Sequence, residues 1–378
     1  MNPIERNADI VTGNEDLELI YSFKDFPVFM GCVDQPQSKD LVNDMNIYIS
    51  KSSGMLQLNP VLPLEIVYQT EHNPGTTGKA WEDHHRSFAE FISQFGSNSV
   101  FEIGGAHGQL SKFYADINPG ASWTIIEPNP VPVENLRATM ITGFFTDINQ
   151  IPAGVDTVVH SHVYEHVYEP KDFTNKLSHL AVGTKVCFSV PALKAHLRNQ
   201  FTNTLNFEHT YLCTEEFIEW FIACHGFDLL DRQYYGDDHS IFYACVRSDR
   251  DVQFWSNPEM YDENINMWNT YIEYHEKMIR DINSKIESAP GKVYLFGAHV
   301  FSQFLLSFGL NRSKIECIID NSKLKQSKRL YGTDLTVKSP TVLADDANPT
   351  VILRTGVFNA EIKQDILTNI NPGTIFLE

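Results

Sequence analysis

The chain predicts an α/β protein. Its main body is a Rossmann-like domain, an open and mostly parallel sheet with helices on both faces. A small N-terminal region precedes it, and a second Rossmann-like α/β domain follows at the C-terminal end. Three observations predict this. Ser99-Val100-Phe101-Glu102-Ile103-Gly104-Gly105-Ala106-His107-Gly108 is a short apolar run that carries an acid and breaks into glycines. Trp123-Thr124-Ile125-Ile126-Glu127-Pro128 is a second apolar run ending in an acid, about 20 residues past the turn, the spacing of a nucleoside-holding βαβ unit. Strand-like and helix-like segments then alternate to the end, with another glycine turn at Gly297.

In chain order, residues 1–78 read as an N-terminal region of strands and loops, with strands at Leu17–Ser22 and Met45–Ser50. Residues 79–248 form the main domain. Helical spacing starts near Ala80 and runs through Trp81, Phe88, Phe91 and Ile92. After the βαβ unit, Asp156–Ser161 reads as the fourth strand and Lys185–Val190 as the fifth. A helix over 214–225 stops at Gly226, and two late strands fit Phe227–Gln233 and Ser240–Val246. Residues 249–288 read as a helical connector, ended by Ala289-Pro290-Gly291. Residues 289–378 form the second α/β domain, with strands at Lys292–Phe296, Ile315–Asp320 and Val351–Leu353.

The 378 residues are 42% hydrophobic and 20% charged, enough for two or three domains with their own cores. A net charge of −19 argues against nucleic acid held over a broad surface, which needs clustered Lys and Arg. No apolar stretch approaches membrane-spanning length, and the first residues show no signal-peptide pattern, so a cytoplasmic location away from membranes is expected. The six cysteines are scattered with no Cys-x-x-Cys pair and read as reduced core thiols. Oligomeric state stays open, a homodimer included.

The glycines let backbone approach a ligand where a Cβ would collide. Glu127 is placed to accept hydrogen bonds from both ribose hydroxyls of a nucleoside, with Pro128 beside it. A dinucleotide turn aims helix N–H groups at a pyrophosphate, and an acid at Glu102 would repel one. Glu102 suits the cationic amino-acid tail of S-adenosylmethionine, and the middle glycine of the dinucleotide pattern is missing. S-adenosylmethionine is therefore the expected cofactor, held by Glu102, Gly104, Gly105, Gly108, Glu127 and Pro128. A nicotinamide-dependent oxidoreductase is the alternative from another class. Asp147 is placed to reach the adenine amino group, and His162 and His166 to line the pocket near the methionine tail.

Across residues 45–365 the chain resembles the bacterial sugar C-methyltransferases that act on nucleotide-linked deoxysugars. Glu102–Gly108 looks like the family's Glu-Ile-Gly-x-Asn-x-Gly motif, and Glu127-Pro128 like its Glu-Pro pair. Phe144-Phe145 matches a phenylalanine pair. His162-Val163-Tyr164-Glu165-His166 resembles Asn-Val-x-x-His with histidine for asparagine, and Glu208-His209 resembles Glu-His-x-x-Tyr with Tyr211 one place early. The C-terminal domain is similar through Gly297-Ala298, Asp320, Lys325-Gln326, Gly332-Thr333, Ser339-Pro340 and Asn359. The resemblance implies a class I methyltransferase domain, a nucleotide-linked sugar as substrate, and His209 as general base with Glu208 orienting it or binding a sugar hydroxyl. His72 and Asn73 would contact the acceptor sugar, as would Asn359. His239 would form the rim of the sugar pocket or simply part of a turn.

Two departures matter. The family holds a structural zinc through cysteine pairs, but this chain reads Ser50-Lys51-Ser52-Ser53-Gly54 where one pair would fall. Serine hydroxyls are poor zinc ligands, so no metal is expected. The family's sugar-site tyrosines are replaced by Thr70-Glu71-His72-Asn73-Pro74-Gly75-Thr76-Thr77-Gly78. Those tyrosines position a 4-keto sugar, so their loss leans the expectation toward O-methylation of a hydroxyl. C-methylation of a keto-deoxysugar is the runner-up, and an inactive sugar-nucleotide binder a further alternative.

Overall fold

The computed structural model describes residues 2–68, 79–202, 205–236, 238–250 and 257–378. The central sheet has seven strands: β1 (Ser99–Ile103), β2 (Ser122–Glu127), β3 (Thr139–Thr142), β4 (Thr157–Ser161), β5 (Lys185–Pro191), β6 (Phe227–Tyr235) and β7 (Ser240–Arg247). Their order is β3-β2-β1-β4-β5-β7-β6. The first five run parallel, and β7 enters antiparallel between β5 and β6. This is a Rossmann-like arrangement. Strand order reverses between β1 and β4, so a crevice opens at their carboxyl ends, where such sheets bind ligands.

Alternation along β1 sends Val100 and Glu102 to one face of the sheet and Phe101 and Ile103 to the other. Val100 joins a core with helices Lys79–Ser93 and Gln109–Ile117, through Phe88, Phe91, Ile92, Leu110 and Tyr114. Phe101 and Ile103 join a core with helix Glu215–Cys224, through Phe217, Ile218 and Phe221.

Ahead of this domain, strands Leu17–Pro27, Val42–Ser50 and Leu56–Leu58 form an antiparallel sheet. Beyond it, five short parallel strands form the second sheet, centred on Val293–Phe296. The expected connector is helix Met260–Glu287, and it is a packing element. Its buried residues recur at helical spacing. Trp268, Tyr271 and Ile272 pack on the N-terminal sheet, and Met278, Ile279, Ile282 and Ile286 on the C-terminal one. Among the described residues no helix is long and apolar enough to cross a membrane.

The N-terminal region also binds the C-terminal sheet directly. Strand Cys32–Val33 pairs with Arg329–Leu330. Asp40 takes both guanidinium nitrogens of Arg329 at 2.6 Å and the Gly332 N–H at 2.7 Å. Side-chain exposure of Arg329 and Asp40 is 11% and 1%. Removing one partner of such a pair strands the other's charge. Asp40→Ala is therefore expected to lower unfolding stability by about 3 kcal/mol, measured by denaturant titration.

Candidate active site

The turn after β1 is built so that only glycine fits. Gly104 has φ +71°, and a Cβ there would stand 2.6 Å from Val163 Cγ2. At Gly105 a Cβ would stand 2.6 Å from Ile125 Cγ2 and 2.8 Å from Glu102 Cδ. The turn therefore lies directly on β2 and on the loop after β4. Glu127 fastens it: one carboxylate oxygen accepts from Ala106 N–H and the other from Asn129 N–H, both at 3.0 Å. Each oxygen keeps acceptor capacity for a further donor. Pro128 is half-buried beside it, and Asp147 is exposed in the short turn Phe145–Asp147 beyond β3.

Glu102 departs from expectation. It was expected to hold the cationic amino-acid tail of S-adenosylmethionine. It lies under the turn, 2% exposed, accepting a 2.7 Å hydrogen bond from the Trp123 indole. The pleat puts it on the Val100 face, toward Trp123. Burial pushes its pKa up to about 7, against the pull of the indole bond.

Beside the turn stands a group of histidines. His162 follows β4 at φ +52°, a left-handed conformation that turns it back over the sheet. Its Nε2 lies 2.9 Å from Ser240 Oγ, and His239 Nδ1 lies 2.7 Å from the same oxygen. His84 Nε2 lies 2.9 Å from Ser189 Oγ. Trp81 packs against the group, its ring 4.9 Å from His162 and 5.2 Å from His239. Burial lowers the pKa of His84 and His162, and neighbouring histidines lower both further. His239 is lowered by burial too, partly opposed by Asp238. These rings are neutral hydrogen-bonding groups at pH 7.

His162 and His166 take different partners beyond the Glu165 carboxylate that both approach, His162 reaching Ser240 and His166 the His209 ring. The His166 ring stands 5.0 Å from His209. Its Nδ1 is 3.7 Å from Glu208 Oε2, and its Nε2 is 3.8 Å from Glu165 Oε1. Glu165 also stands 3.2 Å from His162 Nδ1 and so links the two groups. Burial raises the Glu165 pKa and lowers that of His166, the latter opposed by Glu165.

The 206–212 loop is held from three sides. Asn206 Oδ1 accepts from the Glu208 and His209 N–H groups at 2.8 and 2.9 Å. Leu58 N–H donates to Thr210 O and Leu212 N–H to Leu56 O, so the loop adds to the edge of the N-terminal sheet. Tyr211 Oη donates to Tyr164 O at 2.6 Å, joining the loops after β4 and β5. Arg6, buried, donates to Thr210 O and Tyr168 O at 3.0 and 2.8 Å. Sequence reasoning missed Arg6, His84 and Glu165. Only Glu165 had a local signal, the His-x-x-Glu-His spacing over 162–166.

His72 and Asn73 lie outside the described residues. Asn359 opens helix Asn359–Asp365 after strand Thr350–Leu353 of the second sheet, and its side chain bonds Thr355 and Leu353 O. The second glycine turn repeats the first in closed form. Asp320 Oδ2 accepts from Ala298 N–H at 2.8 Å, as Glu127 does from Ala106, but Lys325 Nζ also sits on it at 3.1 Å. Ser50, Ser52 and Ser53, where the expected cysteine pair would fall, bond one another.

No family model and no curated protein sequence matches the chain. Solved structures do resemble part of it. Human N-acetylserotonin methyltransferase, solved in complex with SAM, is 16% identical over 45% of this chain and 53% of its own, with a TM-score of 0.39. The Streptomyces davawensis N,N-8-amino-8-demethyl-D-riboflavin dimethyltransferase RosA is 18% identical over 44% and 55%, with a TM-score of 0.36. The mitomycin 7-O-methyltransferase MmcR is 14% identical over 44% and 54%, with a TM-score of 0.36. The match spans about half the length of each of these three chains.

The raised Glu102 pKa makes a prediction with a definite sign. Between about pH 4.5 and 7 the folded protein keeps a proton that the unfolded chain releases. Stability should fall as pH rises through that window, by about 3 kcal/mol in all. Glu102→Gln keeps the acceptor for Trp123 and removes the titration. Denaturant melts at pH 5 and pH 8 should therefore show the variant gaining on the native protein at the higher pH.

Proposed function

We propose that the protein transfers the methyl group of S-adenosylmethionine to a sugar hydroxyl of a nucleotide-linked saccharide. One observation supports this most. Glu127, tied to the glycine turn by Ala106, and the carboxylates of the Glu165, His166, Glu208 and His209 cluster all lie within electrostatic reach of the one Tyr68 phenol. Glu127 makes no ion pair with Lys or Arg among the described residues, whereas its counterpart Asp320 is neutralised by Lys325. The first glycine turn is thus the one suited to a nucleoside diol. Residues 79–248 would hold the methyl donor, and the 206–212 loop would meet the acceptor.

The bound donor supplies a methyl on a positively charged sulfur, whose leaving group departs neutral and needs no general acid. The chain must align the acceptor and take its proton. His209 takes that proton as the acceptor oxygen attacks the methyl carbon; the carbon–sulfur bond breaks and its electron pair stays on sulfur. Glu208 and His166 orient His209. Arg6 and Asn206 hold the loop that presents it.

Calorimetry should give micromolar binding of S-adenosylhomocysteine and none of NAD, and Glu127→Ala should weaken the former at least tenfold. Labelled donor offered with a panel of nucleotide sugars should label a sugar. Mass fragmentation then separates a methyl ether from a C-methyl branch. His209→Ala should lower turnover about 100-fold or more while product affinity stays within about threefold. NAD binding in place of the homocysteine nucleoside, or no sugar labelled, would overturn the reading.

A further inference from the structure

Glu165 is 1% exposed, and neither of its carboxylate oxygens accepts a hydrogen bond. A buried carboxylate without a donor is strongly disfavoured unless something neutralises it. The groups that surround it are imidazoles. Donor atoms of Glu165, His166 and His209 all lie within 4.8 Å of one another. A tetrahedral ion holds nitrogen and oxygen donors at about 2.0–2.2 Å, which places the donors roughly 3.4 Å apart. Small side-chain rotations close that difference.

We propose that Glu165, His166 and His209 form a binding site for a first-row divalent transition-metal cation. One carboxylate and two imidazoles suit Zn²⁺, Mn²⁺, Fe²⁺ or Co²⁺ better than Ca²⁺, which prefers an all-oxygen shell. Glu208 Oε2, 3.7 Å from His166 Nδ1, is placed as the outer carboxylate that orients a ligand imidazole. Three ligands leave a position open toward the crevice, as catalytic sites do.

A second histidine cluster, His84, His162 and His239, also brings its ring nitrogens within 4.8 Å. There, however, Ser189 and Ser240 already engage one nitrogen of each ring, and the group itself contains no carboxylate. The sequence pattern leads to the same choice. His-x-x-Glu-His binds zinc through both histidines when it lies on a helix. Here residues 164–166 form one short turn, so His162 departs to Ser240 while Glu165 and His166 keep their donors together.

The consequence for chemistry rests on the methyl-transfer reading. The metal-free form keeps His209 as the base; in the metal-loaded form His209 would be a ligand, the ion would acidify an acceptor hydroxyl held at its open position, and Glu208, outside the ligand set, would take the proton. An acceptor with two adjacent oxygens, a vicinal diol, would fill such a site best.

Binding is tested on the full chain, stripped with chelator and dialysed against Zn²⁺ or Co²⁺. The expected result is about one ion per chain by elemental analysis, with a Co²⁺ visible absorption band typical of low coordination number. Glu165→Gln and His209→Ala should each weaken binding at least 100-fold, and His84→Ala should leave it within about threefold, with circular dichroism confirming that each variant folds. No stoichiometric ion in the native chain, or binding that survives both the Glu165 and His209 changes, would overturn the site. Because the readout is metal content, it is independent of whether S-adenosylhomocysteine binds the metal-free protein.

Discussion

The hydrogen bond from Ala106 N–H to Glu127 sets the geometry on which the crevice depends. It closes the glycine turn against β2 and fixes where a ligand could meet backbone. The chain makes the same bond twice, with opposite results. At Asp320 the acid is buried and a lysine completes its charge, so the second turn is a finished structural joint. At Glu127 the two backbone donors leave the carboxylate half-exposed. One topology thus yields a joint and an open acceptor, decided by one nearby cation.

From that turn, contacts run in series to the 206–212 loop. Gly104 lies on Val163, the loop of Val163 is joined to Tyr211 through Tyr164, and the 210–212 segment is stitched to the N-terminal sheet. Arg6 closes the chain of contacts by bridging Thr210 and Tyr168. The N-terminal region therefore acts as the jig for the 206–212 loop, and its Tyr68 ring stands 6.3 Å from that of His166. A site assembled this way is sensitive to distant packing: a shift of the Leu56–Leu58 strand moves His209.

What was legible in the sequence was local. The β1-turn-helix-β2 unit could be read because apolar runs, glycines and the second acid all lie within about 30 residues and obey short-range rules. The helix at Lys79–Ser93 could be read from its period. Glu102 was recognised as an acid at the turn, but its direction depends on the pleat and on Trp123, a partner supplied by the next strand. His162 and His166 looked alike at four residues' spacing, and a single left-handed residue separates their destinations. Arg6 was illegible because its partners lie 162 and 204 residues away. The connector helix was recognised as a helix, but its role as a shared core for two sheets depends on which surfaces the fold brings to it.

Charge then narrows what the crevice can accept. Glu127 stands at its turn and Glu165 is buried in the loop after β4, and neither pairs with Lys or Arg among the described residues. Burial holds the histidines among them neutral, so these side chains do not supply a positive field. Coulomb attraction in a partly desolvated cleft exceeds that in water, so such a lining favours a cation and disfavours a diphosphate. A sulfonium nucleoside satisfies that constraint and a pyrophosphate-bridged dinucleotide does not. On the proposed reading, the same field would admit only the sugar of a nucleotide-linked acceptor and leave its phosphates outside. Glu165 stands in the same setting without a donor, and a metal cation held with His166 and His209 would resolve that deficit without a lysine.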